Sequence, residues 1–164
     1  MKEYWINKKN NKDLIVFFAG WGMDQNPFLP LKYNDLDILI CYDYSDMNLN
    51  DLSIMDIIEN GNYKNIYLIG FSMGVAVAGY LFQSELCIKF RQIIAINGTL
   101  EPISDENGIP VNIFENTLES WDSANKEHFL KRMCRDEIIC SKYRINLPKR
   151  TLQDEKKELT NLHL

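Results

Sequence analysis

Residues Gly70-Phe71-Ser72-Met73-Gly74 place a serine hydroxyl midway between two glycines. An apolar run at 65–69 precedes them, and a run of small and apolar residues at 75–82 follows. This pattern predicts a sharp turn from a buried strand into a helix, with Ser72 at the apex and its hydroxyl clear of the sheet. Glycine at positions 70 and 74 lets helix and strand pack closely. The chemistry such a serine performs is acyl transfer through a covalent acyl-serine intermediate. The tetrahedral intermediate needs hydrogen-bond donors for its oxyanion, each worth about 3–4 kcal/mol. One expected donor is the backbone N–H of Met73, the residue after the nucleophile. The other is the backbone N–H of Trp21 in Gly20-Trp21-Gly22, on the loop after an earlier strand. Gly20 and Gly22 also suit a plain tight turn, and that reading stays open.

A serine hydroxyl attacks poorly until a base takes its proton. The chain holds two histidines. His128 falls in an amphipathic helical pattern, where a surface position is the ordinary expectation, and His163 is the penultimate residue. Elbow hydrolases run in the order serine, acid, histidine, the last two on loops after later strands. Downstream of Ser72 one clear strand appears, at 90–96, and it ends in Asn97. The nearest aspartates beyond it, Asp105 and Asp122, do not follow a strand. Neither they nor the histidines are assigned as base or acid, and slow turnover is the expectation.

The elements that must position these groups alternate along the chain. Apolar runs at 14–19, 37–42, 65–69 and 90–96 read as strands, the continuous ones as strands covered on both faces. A short strand at 4–6 comes first. Helices are expected at 49–59 and 73–84, and later at 112–119, about 123–140 and about 152–163. Asn26-Pro27 suits the start of a short helix. This order implies a doubly wound, mostly parallel α/β sheet in a single domain, 1–164. Ligands bind outside the carboxyl ends of strands in such sheets. Gly20-Trp21-Gly22, Ser72 and Asn97-Gly98 all fall at such ends. Trp21, Phe71 and Tyr44 could line an acyl pocket there, although aromatics at strand ends more often belong to the core.

Composition narrows the class. Of 164 residues, 46% are hydrophobic and 25% charged, which excludes disorder. No apolar run is long enough to span a bilayer, and the N-terminus lacks a leader pattern, so a cytoplasmic protein is expected. The net charge of −5 argues against a nucleic-acid partner. Residues 126–150 nevertheless carry eight basic side chains against three acidic ones. That segment suits either a solvated face or a docking surface for an acidic partner. Cys41, Cys87, Cys134 and Cys140 show no Cys-x-x-Cys spacing and read as reduced core thiols, with no metal site and no cofactor expected.

Several stretches carry a more specific signal. They are Phe17-Phe18-Ala19-Gly20-Trp21-Gly22-Met23-Asp24, Tyr42-Asp43-Tyr44, Gly70-Phe71-Ser72-Met73-Gly74-Val75, and Ala95-Ile96-Asn97-Gly98-Thr99-Leu100-Glu101-Pro102-Ile103 followed by Gly108-Ile109-Pro110. Together, and in this order over nearly the whole chain, they resemble the BioG family. Phe129-Leu130-Lys131-Arg132-Met133-Cys134 is similar to that family's helical insertion. The resemblance implies an α/β-hydrolase fold with a lid-like helical insertion at about 112–150. It implies an esterase of biotin synthesis that cleaves the methyl ester of pimeloyl-acyl carrier protein. Ser72 would be the nucleophile, with Trp21 and Met73 as oxyanion donors. Arg132 and Arg135 would contact the acidic carrier protein. The family's later strands, which bear the triad acid and histidine, have no counterpart here, so a truncated, weakly active or inactive form is expected. Two other readings stand beside this one: a non-catalytic module that binds carrier protein, and a different serine acyl hydrolase of thioesterase or lipase type. Oligomeric state is left open.

Overall fold

The structure is a computed structural model that describes residues 1–31, 33–47, 53–82, 89–134 and 136–162. Cys87, Arg135, His163 and the expected helical residues 49–52 and 83–84 lie outside the described residues. Five strands form one sheet: β1 Lys2–Asn7, β2 Asp13–Phe18, β3 Asp37–Tyr42, β4 Asn65–Phe71 and β5 Phe90–Ile96. Their order is β1-β3-β2-β4-β5. β1 runs antiparallel to β3, and every other pairing is parallel. The central strands are the apolar ones, with Leu14, Val16, Phe18 and Leu39 fully buried. Each such side chain contributes about 1.5–3 kcal/mol when removed from water.

Helices α1 Ile54–Asn60 and α2 Met73–Leu81 follow β3 and β4. Ile54 and Ile58 of α1 and Met73, Val77 and Leu81 of α2 join one large core cluster with the central strands. A smaller cluster, Ile6, Ala19, Met23, Ile38 and Ile40, is covered by Phe28 of the 3-10 turn Asn26–Phe28 and by Leu29, which caps it. The N-terminus of α1 is capped from β1. Both Glu3 carboxylate oxygens accept bonds there, from Ser53 N at 3.1 Å and Ile54 N at 2.8 Å. That contact satisfies donors that a helix start leaves free.

After β5 come α3 Val111–Ser120, α4 Ser123–Cys134, α5 Glu137–Arg144 and α6 Leu152–Asn161. The expected single helix at 123–140 is thus two. Asp136 has an extended backbone, and its carboxylate accepts from Ile138 N at 2.8 Å and Ile139 N at 3.1 Å. This cap starts a new helix where the pattern alone read straight through. β5 is the outer strand of the sheet, and Ile93 and Ile96 on it stay exposed.

Candidate active site

The direction of chain crossing reverses at β2, which pairs with β3 on one side and β4 on the other. The loops after β2 and β4 therefore lie side by side at the switch point where such sheets bind ligands. Each of the four parallel strands ends near a residue with positive φ: Gly22 at 72°, Asp43 at 60°, Ser72 at 54° and Asn97 at 48°. Ser72 combines φ 54° with ψ −127°, a conformation that strains a residue bearing a Cβ. Packing holds it there. A Cβ at Gly74 would sit 2.3 Å from Phe18 O and 2.5 Å from Ala19 O, so α2 can lie on β2 only with glycine at that position. The Ser72 amide donates to Ile96 O at 2.9 Å, tying the elbow to β5.

Ser72 is half-buried and borders a hollow of about 280 Å³ with Met73, Asn97, Gly98, Thr99, Pro102 and Asn107. Met73 opens α2, so its N–H lies at the positive end of the helix dipole. The loop at 20–22 backs onto the elbow, where a Cβ on Gly20 would lie 3.2 Å from Ser72 Cβ. Among the described residues, no group accepts the Trp21 or Met73 N–H. The structure thus brings Ser72, Met73, Asn97-Gly98 and the 20–22 loop together.

The remaining candidates lie elsewhere. Asp105 is exposed and accepts from Val111 N at 3.0 Å, capping α3. Asp122 is exposed and accepts from Asn125 N at 2.8 Å, capping α4. His128 is exposed on α4, as is Arg132. Among the described residues, no side chain is hydrogen-bonded to the Ser72 hydroxyl, and no cluster of His, Cys, Asp and Glu is suited to a metal. Tyr44 is no pocket residue. It is fully buried in the core, and its hydroxyl donates to Ala19 O at 2.7 Å. Trp21 packs its ring on Trp121 and Phe129, with centroids 4.5 Å and 5.7 Å away. Its indole N–H donates to Glu155 O at 2.7 Å.

A buried polar network beneath the loops was not anticipated. Glu155 and Glu158 of α6 are both buried. Glu158 Oε2 accepts from Gly22 N at 3.1 Å, and its Oε1 accepts from Tyr44 N at 3.0 Å. Arg150 lies 3.3 Å from Glu158 and 2.8 Å from Asp43, which also meets Lys2 at 2.8 Å. Glu155 accepts from Trp121 Nε1 at 3.0 Å and pairs with Lys126 at 2.5 Å. Burial drives the Asp43 carboxyl up, but Lys2, Ser45 and Arg150 more than offset it and hold it at about 2. For Glu158 burial wins over Arg150 and the two amide donors, and its carboxyl is pushed up to about 7. Lys126 and Arg150, counted in the basic segment, are therefore internal ion-pair partners. Lys131, Arg132, Lys142 and Lys149 remain exposed.

A mostly parallel sheet with a strained serine elbow at its switch point defines an α/β-hydrolase-type domain. A lipase-esterase related protein from Clostridium acetobutylicum shares the fold, with a TM-score of 0.63 at 17% identity over 99% of this chain and 71% of that one. The chain belongs to the family described as pimeloyl-ACP methyl esterase BioG, whose model matches residues 1–164. The crystal structure of BioG from Haemophilus influenzae superposes with a TM-score of 0.83 at 35% identity, over 99% of this chain and 71% of that one. A Bacteroides fragilis protein named malonyl-[acyl-carrier protein] O-methyltransferase is 38% identical over 149 residues, 90% of this chain. The chain spans 29% of that relative's length. No helix among the described residues is long and apolar enough to cross a membrane.

Proposed function

We propose that this chain is a serine carboxylesterase domain acting on the methyl ester of pimeloyl-acyl carrier protein. The observation that carries the reading is the Ser72 elbow, with φ 54° and ψ −127°, beside an open hollow and two amides without acceptors among the described residues. Ser72 Oγ attacks the ester carbonyl carbon. The carbonyl oxygen becomes an oxyanion held by the Trp21 and Met73 N–H groups, and methanol leaves with a proton. Water then cleaves the acyl-serine, giving the free acid still attached to the carrier and restoring the serine. Family membership favours this substrate. So does the name of the Bacteroides fragilis relative, in which a region like this chain accompanies methyl transfer to a carrier-bound acid.

Lys131 and Arg132 on α4 are exposed, and so are Lys142, Ile138 and Ile139 on α5. A basic and apolar face of this kind suits an acidic carrier protein. No imidazole reaches Ser72 among the described residues, and proton transfer without one is slow. Slow turnover with intact carrier binding is therefore the expected behaviour of this chain. Incubation with pimeloyl-carrier protein methyl ester tests the reading by intact mass. A slow loss of methyl from the carrier, absent with Ser72→Ala, supports it. Equal loss with both proteins refutes it. Binding without any loss, unchanged in Ser72→Ala, favours the second reading, a module that binds carrier protein without catalysis.

A further inference from the structure

We propose that Glu158 is the positioning residue of the oxyanion loop: its buried carboxylate grips the Gly22 and Tyr44 amides together and so fixes the backbone of Trp21 beside Ser72. The inference rests on the esterase reading of Ser72. Its basis is the choice of partners. Placing a charge in the interior is disfavoured by several kcal/mol, and a leucine would serve if α6 only needed to pack. Leu159 and Leu162 already provide that packing. The two oxygens of Glu158 go instead to two loop amides, at 3.1 Å and 3.0 Å, at the carboxyl ends of β2 and β3.

One of those amides belongs to the residue after the proposed donor. Gly22 has φ 72°, a conformation glycine enters and leaves freely, and the long turn bond from Met23 N to Gly20 O at 3.3 Å is joined there by the Glu158 carboxylate. Glu158 fixes the Trp21–Gly22 peptide, and the Glu155 carbonyl fixes the Trp21 indole. Trp21 is thus held by both its backbone and its ring. Loss of the carboxylate frees a peptide that a buried acceptor now satisfies, and the neighbouring Trp21 amide loses its aim.

The groups facing Glu158 are Arg150 before α6, Asp43 after β3 and the buried phenol of Tyr44, while Lys2 on β1 reaches Asp43 and Glu155 on its own helix is paired with Lys126. Burial pushes the Glu158 carboxyl up to about 7 against the opposing Arg150. Above that pH both oxygens accept amides. Below it a proton occupies one oxygen and one grip weakens.

The test follows Gly22 and Tyr44 amide resonances with pH, alongside the rate at which a fluorophosphonate modifies Ser72. The two resonances shift together with one midpoint near pH 7, and labelling rises about tenfold across it. Glu158→Gln abolishes both pH responses and labels slowly throughout, whereas Glu155→Gln keeps the midpoint. If Glu158→Gln does not fold, the wild-type resonances decide. Separate or absent shifts of Gly22 and Tyr44, or a wild-type labelling profile in Glu158→Gln, overturn the proposal. A wild-type Ser72 that never labels while the two amides still shift together refutes the esterase reading and, with it, the catalytic meaning of the grip. The grip itself then stands.

Discussion

Gly74 and Gly79 sit on the same short helix, yet their substitution by alanine has opposite expected outcomes. A Cβ at Gly74 meets the backbone oxygens of Phe18 and Ala19 at 2.3 Å and 2.5 Å, which cannot move without parting α2 from the sheet. Gly74→Ala is expected to destabilise by about 3 kcal/mol or more in chemical denaturation. A Cβ at Gly79 meets the end of the exposed Leu100 side chain at 2.5 Å, which swings away. Gly79→Ala is expected to be neutral or to stabilise by up to about 1 kcal/mol, since alanine favours the helix. Two carboxylates give opposite pH signatures. Asp43, held at about 2, stabilises the fold above its ordinary value of 3.8, and that stability is lost as pH falls through about 2. Glu158 is raised from 4.5 to about 7, so the folded form binds the proton more tightly and stability falls as pH rises across that window. The decline is on the order of 3 kcal/mol. Urea unfolding between pH 4 and pH 8 measures it, and Glu158→Gln should remove it.

At the scale of elements, α5 depends on one cap. Asp136→Ala removes the acceptor for Ile138 N and Ile139 N and should weaken α5 by about 1 kcal/mol. Faster amide exchange confined to α5 would register the change, with α4 unaffected. The strands and the elbow were legible in the sequence because continuous apolar runs and the glycine spacing are local signals. The break between α4 and α5 was not, because Asp136-Glu137 continues a polar helical pattern without glycine or proline. α6 read only as a charged helix at about 152–163, and Glu155 and Glu158 are among its most buried residues. Apart from Arg150, their partners Trp21, Gly22, Tyr44, Trp121 and Lys126 are distant in sequence, so no local pattern reveals them. A faint signal was present: Glu155, Glu158, Leu159 and Leu162 share one helical face. Tyr44 was ambiguous for a similar reason, since the nearer acceptor for its hydroxyl, Ala19 O, reaches it only in the folded sheet.

Across the whole molecule, the buried polar groups join α6, the 20–24 loop, the end of β3 and α4 into one assembly, while Ser72 stays at the carboxyl end of β4. The basic surface of 126–150 is smaller than its sequence count, because Lys126 and Arg150 face inward. Carrier-protein binding should still weaken with salt, by about tenfold between low and high ionic strength, and Arg132→Glu should weaken it at low salt only. Titration by fluorescence anisotropy would show both effects. The central claim is that Ser72 is the reactive nucleophile of an esterase elbow. Its most direct test is a mass-spectrometric map of the chain after prolonged exposure to a fluorophosphonate. The account predicts a single adduct on the peptide containing Ser72, lost in Ser72→Ala. An unmodified Ser72, or equal modification of the wild-type and variant chains, would contradict it.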